Sequence, residues 1–452
     1  MSQEPPSLGE FYTPRWLAGL VLDEARYDGA AGRRLLDPSC GDGVFLTLAI
    51  ERIRNYAMRA GEAPERTAQR ILDEVQGLEL NAQAAQRARR NYLLAMGELR
   101  GRLEAADVPV MQTDAILDPP TLPPYDLVAG NPPWVRWDRI PPSYRRATLP
   151  LWRRYGLFSL TGFGALSGGG MKDLAMLFTF AAADRFLKDG GTLAFVITLE
   201  AFKTKGAGEG FRRFRLGEDG PPLRVAAGHD FSALRPFQGA SNKTGAIVLT
   251  KGGETSYPVP WFVWRRDASG RLTARRMAAQ PVDGLQGPWQ CREDHELIAQ
   301  TASGTSFYKP LLGANANPYG VFWVEVERAL EGGRAKLRNL RELGRTPLPA
   351  VTAEVEAGPV YPALRGADIQ RWRAEPRVHA LILQNPENRR GYPESEVRRR
   401  WPLTLRYLEQ FREPLLARAL YRRYHQQGKH AFYSQFNISK PTFAPFKVVW
   451  RR

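Results

Sequence analysis

Short apolar runs alternate with longer amphipathic stretches over residues 13–250, and no other feature limits the possible folds as much. Apolar runs lie at 35–37, 75–80, 108–114, 125–130, 192–198, 223–227 and 246–250. Between them, 44–57, 81–96 and 172–187 carry apolar residues at helical spacing. Thr13 is the expected N-cap and Pro14 the first residue of an opening helix. Asp189-Gly190-Gly191 is an expected helix stop. Strands that alternate with helices predict an α/β fold with a mostly parallel sheet covered on both faces, here of seven strands.

After residue 262 the rhythm is lost, and Pro, Arg and aromatic residues dominate. The expected division is therefore 1–262 and 263–452, the second being a basic α+β domain. The charge changes at the same place. Residues 1–262 carry 32 basic and 29 acidic side chains, whereas 263–452 carry 32 and 18. Of 64 cations only 11 are Lys; the others are Arg, whose planar fork suits phosphates and guanine edges. A basic half implies a polyanionic partner, most simply nucleic acid. The chain has two cysteines, too few for a disulfide framework or a Cys-rich metal site, so no metal is expected. It has neither a long apolar run nor a signal-peptide pattern, so no membrane is expected and a cytoplasmic setting is the default.

Several strand ends carry chemistry. Asp37-Pro38-Ser39-Cys40-Gly41-Asp42-Gly43 joins the first strand to a helix. Its glycines allow close approach of backbone to ligand, and the helix start offers free N–H groups to an anion. The pattern is neither the dinucleotide nor the P-loop fingerprint; it suits a ligand with an amino group and a carboxylate. Glu79 and Asp114 close the next two strands, placed to accept from ribose hydroxyls and an adenine amine. The strongest signal is Asn131-Pro132-Pro133-Trp134, directly after the fourth strand. Two prolines stiffen the backbone, so the Asn131 amide oxygen and Pro132 carbonyl become two fixed acceptors beside the flat face of Trp134. Such a site suits a planar aromatic amine.

The order Phe11-Tyr12-Thr13-Pro14, then Asp37 to Gly43, then Asn131 to Trp134 resembles the gamma-class methyltransferases that act on adenine N6 in DNA. The resemblance covers residues 8–252 and implies a seven-stranded class I methyltransferase fold that binds S-adenosylmethionine (SAM). It places Tyr12 and Thr13 near the methionine end of SAM, and Asp37, Pro38, Gly41 and Gly43 in the SAM loop. Glu79 would take the ribose and Asp114 the adenine ring of SAM. Asn131, Pro132, Pro133 and Trp134 would hold the target adenine, with Trp134 where Tyr or Phe is commoner. Phe237 looks like a second stacking aromatic, with Phe231 as rival. The target atom lies inside a duplex, so the base would be flipped out.

Residues 138–171, rich in Arg, aromatics and Gly, are expected to form an insert that covers the substrate. In the basic half, 360–369 and 432–451 resemble target-recognition regions of large methyltransferases from restriction-modification and phage-defence systems such as BREX and DISARM. Expected contacts to double-stranded DNA are Lys203, Lys205, Arg371, Arg373, Arg398, Arg399, Arg400, Arg422, Arg423 and Lys429. Other subunits of such a system are possible partners. Residues 446–450 read as an apolar strand. No nuclease or helicase motif stands out, and the expected catalytic and recognition parts fill the chain. Two other readings stay open: methylation of an RNA base or protein glutamine, and a catalytically silent DNA-binding specificity subunit.

Overall fold

A computed structural model of the chain describes residues 12–157, 173–204, 207–237, 242–282, 284–293, 311–344, 346–418, 421–422 and 430–450. The chain divides into two compact units, 1–304 and 305–452.

The first unit is built on strands β1 (Leu35–Asp37), β2 (Val75–Glu79), β3 (Val110–Gln112), β4 (Tyr125–Gly130), β5 (Leu187–Thr198), β6 (Leu223–Asp230) and β7 (Thr244–Lys251). Their order is β3-β2-β1-β4-β5-β7-β6, with only β7 antiparallel to its neighbours. Each of the seven expected runs is a strand. All except β7 therefore present their carboxyl ends on one rim of the sheet. The longer helices among the described residues are α1 (Arg15–Glu24), α2 (Val44–Ala60), α3 (Pro64–Glu74), α4 (Ala82–Met96), α5 (Pro142–Arg154) and α6 (Leu174–Phe186).

Both faces of the sheet are buried, as the near-continuous apolar strands require. In β1, Leu35 packs with α1, α2 and α4 residues such as Val21, Ile50 and Tyr92. Its neighbour Leu36 points into the opposite cluster, with Trp152 of α5 and Phe180 of α6. This is the two-residue alternation of a strand, used here to fill two cores.

The sheet does not stop at seven strands. β8 (Val259–Arg266), β9 (Leu272–Pro281) and β10 (Trp289–Arg292) extend it beyond β6, giving ten. The expected boundary at 262/263 thus falls inside β8, which pairs with β6 through Gly228↔Trp261. The helical rhythm ends near residue 250 because these added strands need no crossover helices, not because a new unit begins. Trp261 and Trp289 bury against Phe202 in the first core.

Two further expectations are corrected, and that for the 138–171 insert falls partly outside the described residues. Helix α1 begins at Arg15 with Pro14, not Thr13, in the N-cap place, and the Pro14 carbonyl accepts from Leu17 N at 2.9 Å. The first half of the 138–171 insert is a packed helix, α5, whose Trp152 is fully buried; residues 158–172 lie outside the described residues. Residues 446–450 form no strand; Phe446, Val448 and Trp450 are exposed, and no neighbouring strand pairs with them.

The second unit has a five-stranded antiparallel sheet made of β11 (Trp323–Leu330), β12 (Arg334–Asn339), β13 (Thr352–Glu356), β14 (Val360–Ala363) and β17 (Val378–Leu381). The order is β13-β12-β11-β17-β14. A small hairpin, β15 (Ile369–Gln370) with β16 (Arg373–Ala374), stands apart from it. Helices α7 (Glu394–Arg400), α8 (Pro402–Glu409) and α9 (Arg412–Leu416) close the core through Val397, Leu405, Leu408 and Leu415. Glu356 at the end of β13 accepts from Leu403 N, Thr404 N and the Thr404 hydroxyl, and so caps α8 from across the unit. The architecture is α+β over 305–452, whereas the expectation covered 263–452. The unit carries 26 basic and 13 acidic residues, against 38 and 34 in residues 1–304. The cationic surplus belongs to the second unit.

Candidate functional site

A cavity of ≈ 340 Å³ opens on the rim at the carboxyl ends of β1 to β4. Tyr12, Pro38, Gly41, Glu79, Asp114, Asn131, Pro132, Pro133 and Trp134 all line it. These nine positions span 123 residues of sequence and were singled out from separate motifs. The parallel sheet brings them together, because successive strand ends fall side by side about 4.8 Å apart.

The loop after β1 is shaped by its glycines. Gly41 (φ +57°) and Gly43 (φ +88°) both take left-handed backbone, which side chains resist. Gly43 is the N-cap of α2 and offers no side chain to the first amides of that helix. The Asp42 carboxylate stands beside that helix start and takes the Val44 amide. Glu79 closes the loop from β2: one carboxylate oxygen accepts from Gly41 N at 2.8 Å, the other from Asn81 N at 2.7 Å. Both carboxylate oxygens of Glu79 thus hold backbone amides at the mouth of the cavity. Asn81 caps α4, accepting from Gln83 N and Ala84 N.

Asp37 does not line the cavity. It is fully buried behind the loop, where it accepts from Ser39 N at 3.1 Å. Its carboxyl lies against Gly130, where any Cβ would collide with it. The last residue of β4 must therefore be glycine for Asn131 to follow at this place. Burial, aided by the nearby Glu79 and Asp42 charges, pushes the Asp37 carboxyl well above the usual range. Asp37 fixes the loop and the Asn131 segment relative to each other. Thr13 and Gly43 also stand behind the lining.

Asp114 receives Ile116 N at 2.8 Å, Leu117 N at 3.0 Å and the Tyr144 hydroxyl at 3.3 Å, all on Oδ1. Tyr144 belongs to α5, so the insert touches the cavity wall, and Ile140 and Pro141 line it too. Next to Asn131, the Ser39 hydroxyl donates to the Asn131 carbonyl at 3.4 Å. Trp134 is buried, its indole N–H donating to the Val196 carbonyl of β5 at 3.4 Å. Phe237 meets it edge-on, with ring centroids 5.0 Å apart. Phe237 thus braces Trp134 and is not part of the lining, while Phe231 is buried against Trp16, His229 and Trp264.

Sequence reasoning missed Tyr144, Leu174 and Phe178, which line the wall opposite the loop. Leu174 N donates to the Val135 carbonyl at 2.9 Å, tying the start of α6 to the Asn131–Trp134 segment. Asp173 caps that helix through Ala175 N at 3.0 Å. Burial raises its carboxyl to about 6, partly opposed by the Ala175 amide and Arg136. An Asp before an apolar helix was a legible cap signal; its nearness to the site was not.

Among the proposed DNA contacts, Arg398 pairs with Glu394 and Glu409, Arg400 with Glu396, and Arg373 with Glu375. Arg400 also lies over the Trp401 ring at 4.2 Å, a packing role. Lys203, Arg371, Arg399 and Arg422 are exposed and have no ion pair among the described residues. Lys205, Arg423 and Lys429 lie outside the described residues. No group of His, Cys, Asp and Glu among the described residues is placed to hold a metal. No described helix is long and apolar enough to cross a membrane.

The strand order and the ligand rim at its carboxyl ends define a class I methyltransferase-type fold. Residues 2–213 match the family model of the N-6 DNA methylases. Over 167 residues the chain is 29% identical to the type II methyltransferase M.BstVI of Geobacillus stearothermophilus, covering 33% of this chain and 29% of that protein. Over 146 residues it is 30% identical to M.XhoI of Xanthomonas vasicola, covering 30% and 26%. The chain therefore spans under a third of the length of each of these relatives. Among solved structures, the DNA-bound type ISP restriction-modification enzyme LlaBIII matches at 14% identity and a TM-score of 0.46, over 72% of this chain and 25% of that one. The family match and the two relatives bear out the resemblance to adenine-N6 DNA methyltransferases of restriction-modification type.

Proposed function

We propose that the chain is a site-specific DNA methyltransferase that transfers the methyl group of SAM to N6 of a flipped adenine, within a restriction-modification or phage-defence system. The observation that carries this reading is the single cavity wall shared by the Gly41–Glu79–Asp114 rim and the Asn131–Trp134 segment. The cavity chemistry fits SAM: a left-handed Gly41 for close approach, and the Glu79 and Asp114 carboxylates for ribose and adenine. When bound, SAM supplies a methyl group activated by a sulfonium, so neither metal nor covalent enzyme intermediate is needed.

The protein's part is to hold and polarise the amine. The N6 lone pair is delocalised into the purine ring and is a weak nucleophile. The Asn131 amide oxygen and Pro132 carbonyl would accept its two N–H bonds, favouring a pyramidal nitrogen and stabilising the charge that develops there. Trp134, held by Val196 and braced by Phe237, would stack on the ring. Tyr144 and Ile140 of the insert would shield the site from water. After transfer the proton would leave to water. The basic second unit would hold the duplex.

Purified protein incubated with plasmid DNA and methyl-labelled SAM tests this directly. After digestion to nucleosides the label should run as N6-methyldeoxyadenosine. Label on cytosine, on RNA only or on protein would refute the reading.

A further inference from the structure

The hairpin of β15 and β16 pairs Ile369 with Ala374 and Gln370 with Arg373, leaving Arg371 and Trp372 as a two-residue turn. Trp372 is 92% exposed at the tip. Its φ is +67°, left-handed backbone that a turn of this kind ordinarily gives to Gly or Asn. A bulky aromatic there is a backbone outlier, and among the described residues its ring has only the Arg371 guanidinium against it. Both features cost stability; a partner outside the chain would cover the ring and offset the backbone cost.

The base of the hairpin is fixed. Arg365 donates to Asp368 from its backbone N at 2.8 Å, from Nε at 3.1 Å and from Nη2 at 3.1 Å, and Asp368 is buried. The tip is therefore a short, stiff projection. Arg371 and Arg373 flank the indole; Arg373 pairs with Glu375, while the Arg371 guanidinium lies 5.6 Å from the Trp372 ring centroid. A flat aromatic with one guanidinium against its ring and a second cation on the next residue suits an alternation of flat bases and phosphates. The unit that carries it holds the cationic surplus of the molecule.

We propose that Trp372 is a wedge that stacks against or between the bases of duplex DNA, with Arg371 and Arg373 on the adjoining phosphates. This rests on the DNA reading above and adds a residue that feels the base stack, not only the backbone. The hairpin being pinned at Asp368, little ordering is needed when it docks.

Glycine is the informative substitution, since it takes a left-handed turn more easily than tryptophan. Anisotropy with a fluorescein-labelled mixed-sequence duplex should show the Trp372→Gly full chain binding about tenfold more weakly, with an unchanged salt slope. Its thermal midpoint should not fall. Trp372→Phe should keep most of the affinity, and Arg371→Gln should lower the salt slope by about one. Closed circular plasmid relaxed by a topoisomerase with native protein bound should keep more negative supercoils than with Trp372→Gly at equal occupancy. Equal affinity and equal supercoiling for native and Trp372→Gly overturn the wedge, as does a Phe variant that loses as much as the Gly variant. Native protein that binds no duplex at all overturns the DNA reading beneath it, and this is seen before any variant is made.

Discussion

The two units solve different problems. In the first, charge is nearly balanced and the candidate site residues gather on one rim, where glycines at 41, 43 and 130 and prolines at 132 and 133 shape the backbone. In the second, the charge is strongly positive and spread over exposed side chains, and several of those are already used in ion pairs. A small ligand needs a few groups within a fraction of an ångström, whereas a polyanion responds to the summed field. The first kind of site leaves short fixed motifs in a sequence; the second leaves a composition.

Variants should separate the two accordingly. The largest effect is expected for Asn131→Ala, which should lower methyl transfer by about 10²–10³ while SAM and duplex affinities stay within a few-fold. Titration calorimetry alongside the transfer assay checks this; a matching loss of SAM binding would mean that Asn131 belongs to the cofactor end. Next comes a purely structural element of the second unit. Buried Arg418 donates to the carbonyls of Leu415, Asn317, Ser434 and Phe432. Burial lowers its guanidinium to about 10, still charged at neutral pH. Arg418→Met should cost the second unit about 3 kcal/mol or more, because three buried acceptors and one half-buried one lose their donor. Denaturant unfolding should show that loss while SAM binding by the native fraction persists.

A smaller effect concerns pH and the first unit. The Asp173 carboxyl is raised by burial from 3.8 to about 6. Folding thus favours its protonated form: the associated stability is complete below about pH 4 and is lost as pH rises through about 6. At pH 7 the ionised, buried group costs about 2–3 kcal/mol. Asp173→Asn keeps an N-cap acceptor and should flatten the stability profile between pH 4 and 6 relative to native protein. An unchanged difference between the two proteins across that range would show that Asp173 is not held in this way. Last, raising salt from 50 to 200 mM should weaken duplex binding by orders of magnitude and leave SAM affinity nearly unaltered.

Much of the first unit was legible because strand period and strand-end residues are local properties. The seven runs, the Asn81 cap and the motif residues all needed only a few neighbours. What was not legible depended on distant contacts. β8 to β10 read as irregular because Arg and aromatic residues alternate without helices between them, so their membership of the first sheet lay in long-range pairing. Asp37 reads as a ligand group but is consumed by packing against Gly130, and Tyr144 enters the site only through the fold of α5. In the second unit, Arg398 and Arg400 looked the same in sequence as Arg399, yet two carry ion pairs and one does not among the described residues.

The central claim is that the cavity on the β1–β4 rim methylates adenine at a defined DNA sequence. Sequencing that detects modified bases, applied to DNA from cells expressing the native chain or Asn131→Ala, tests it most directly. N6-methyladenine is expected at one recurring sequence with the native chain, and none with the variant. Modified cytosine, or N6-methyladenine that persists with Asn131→Ala in otherwise unmodified host DNA, would contradict it.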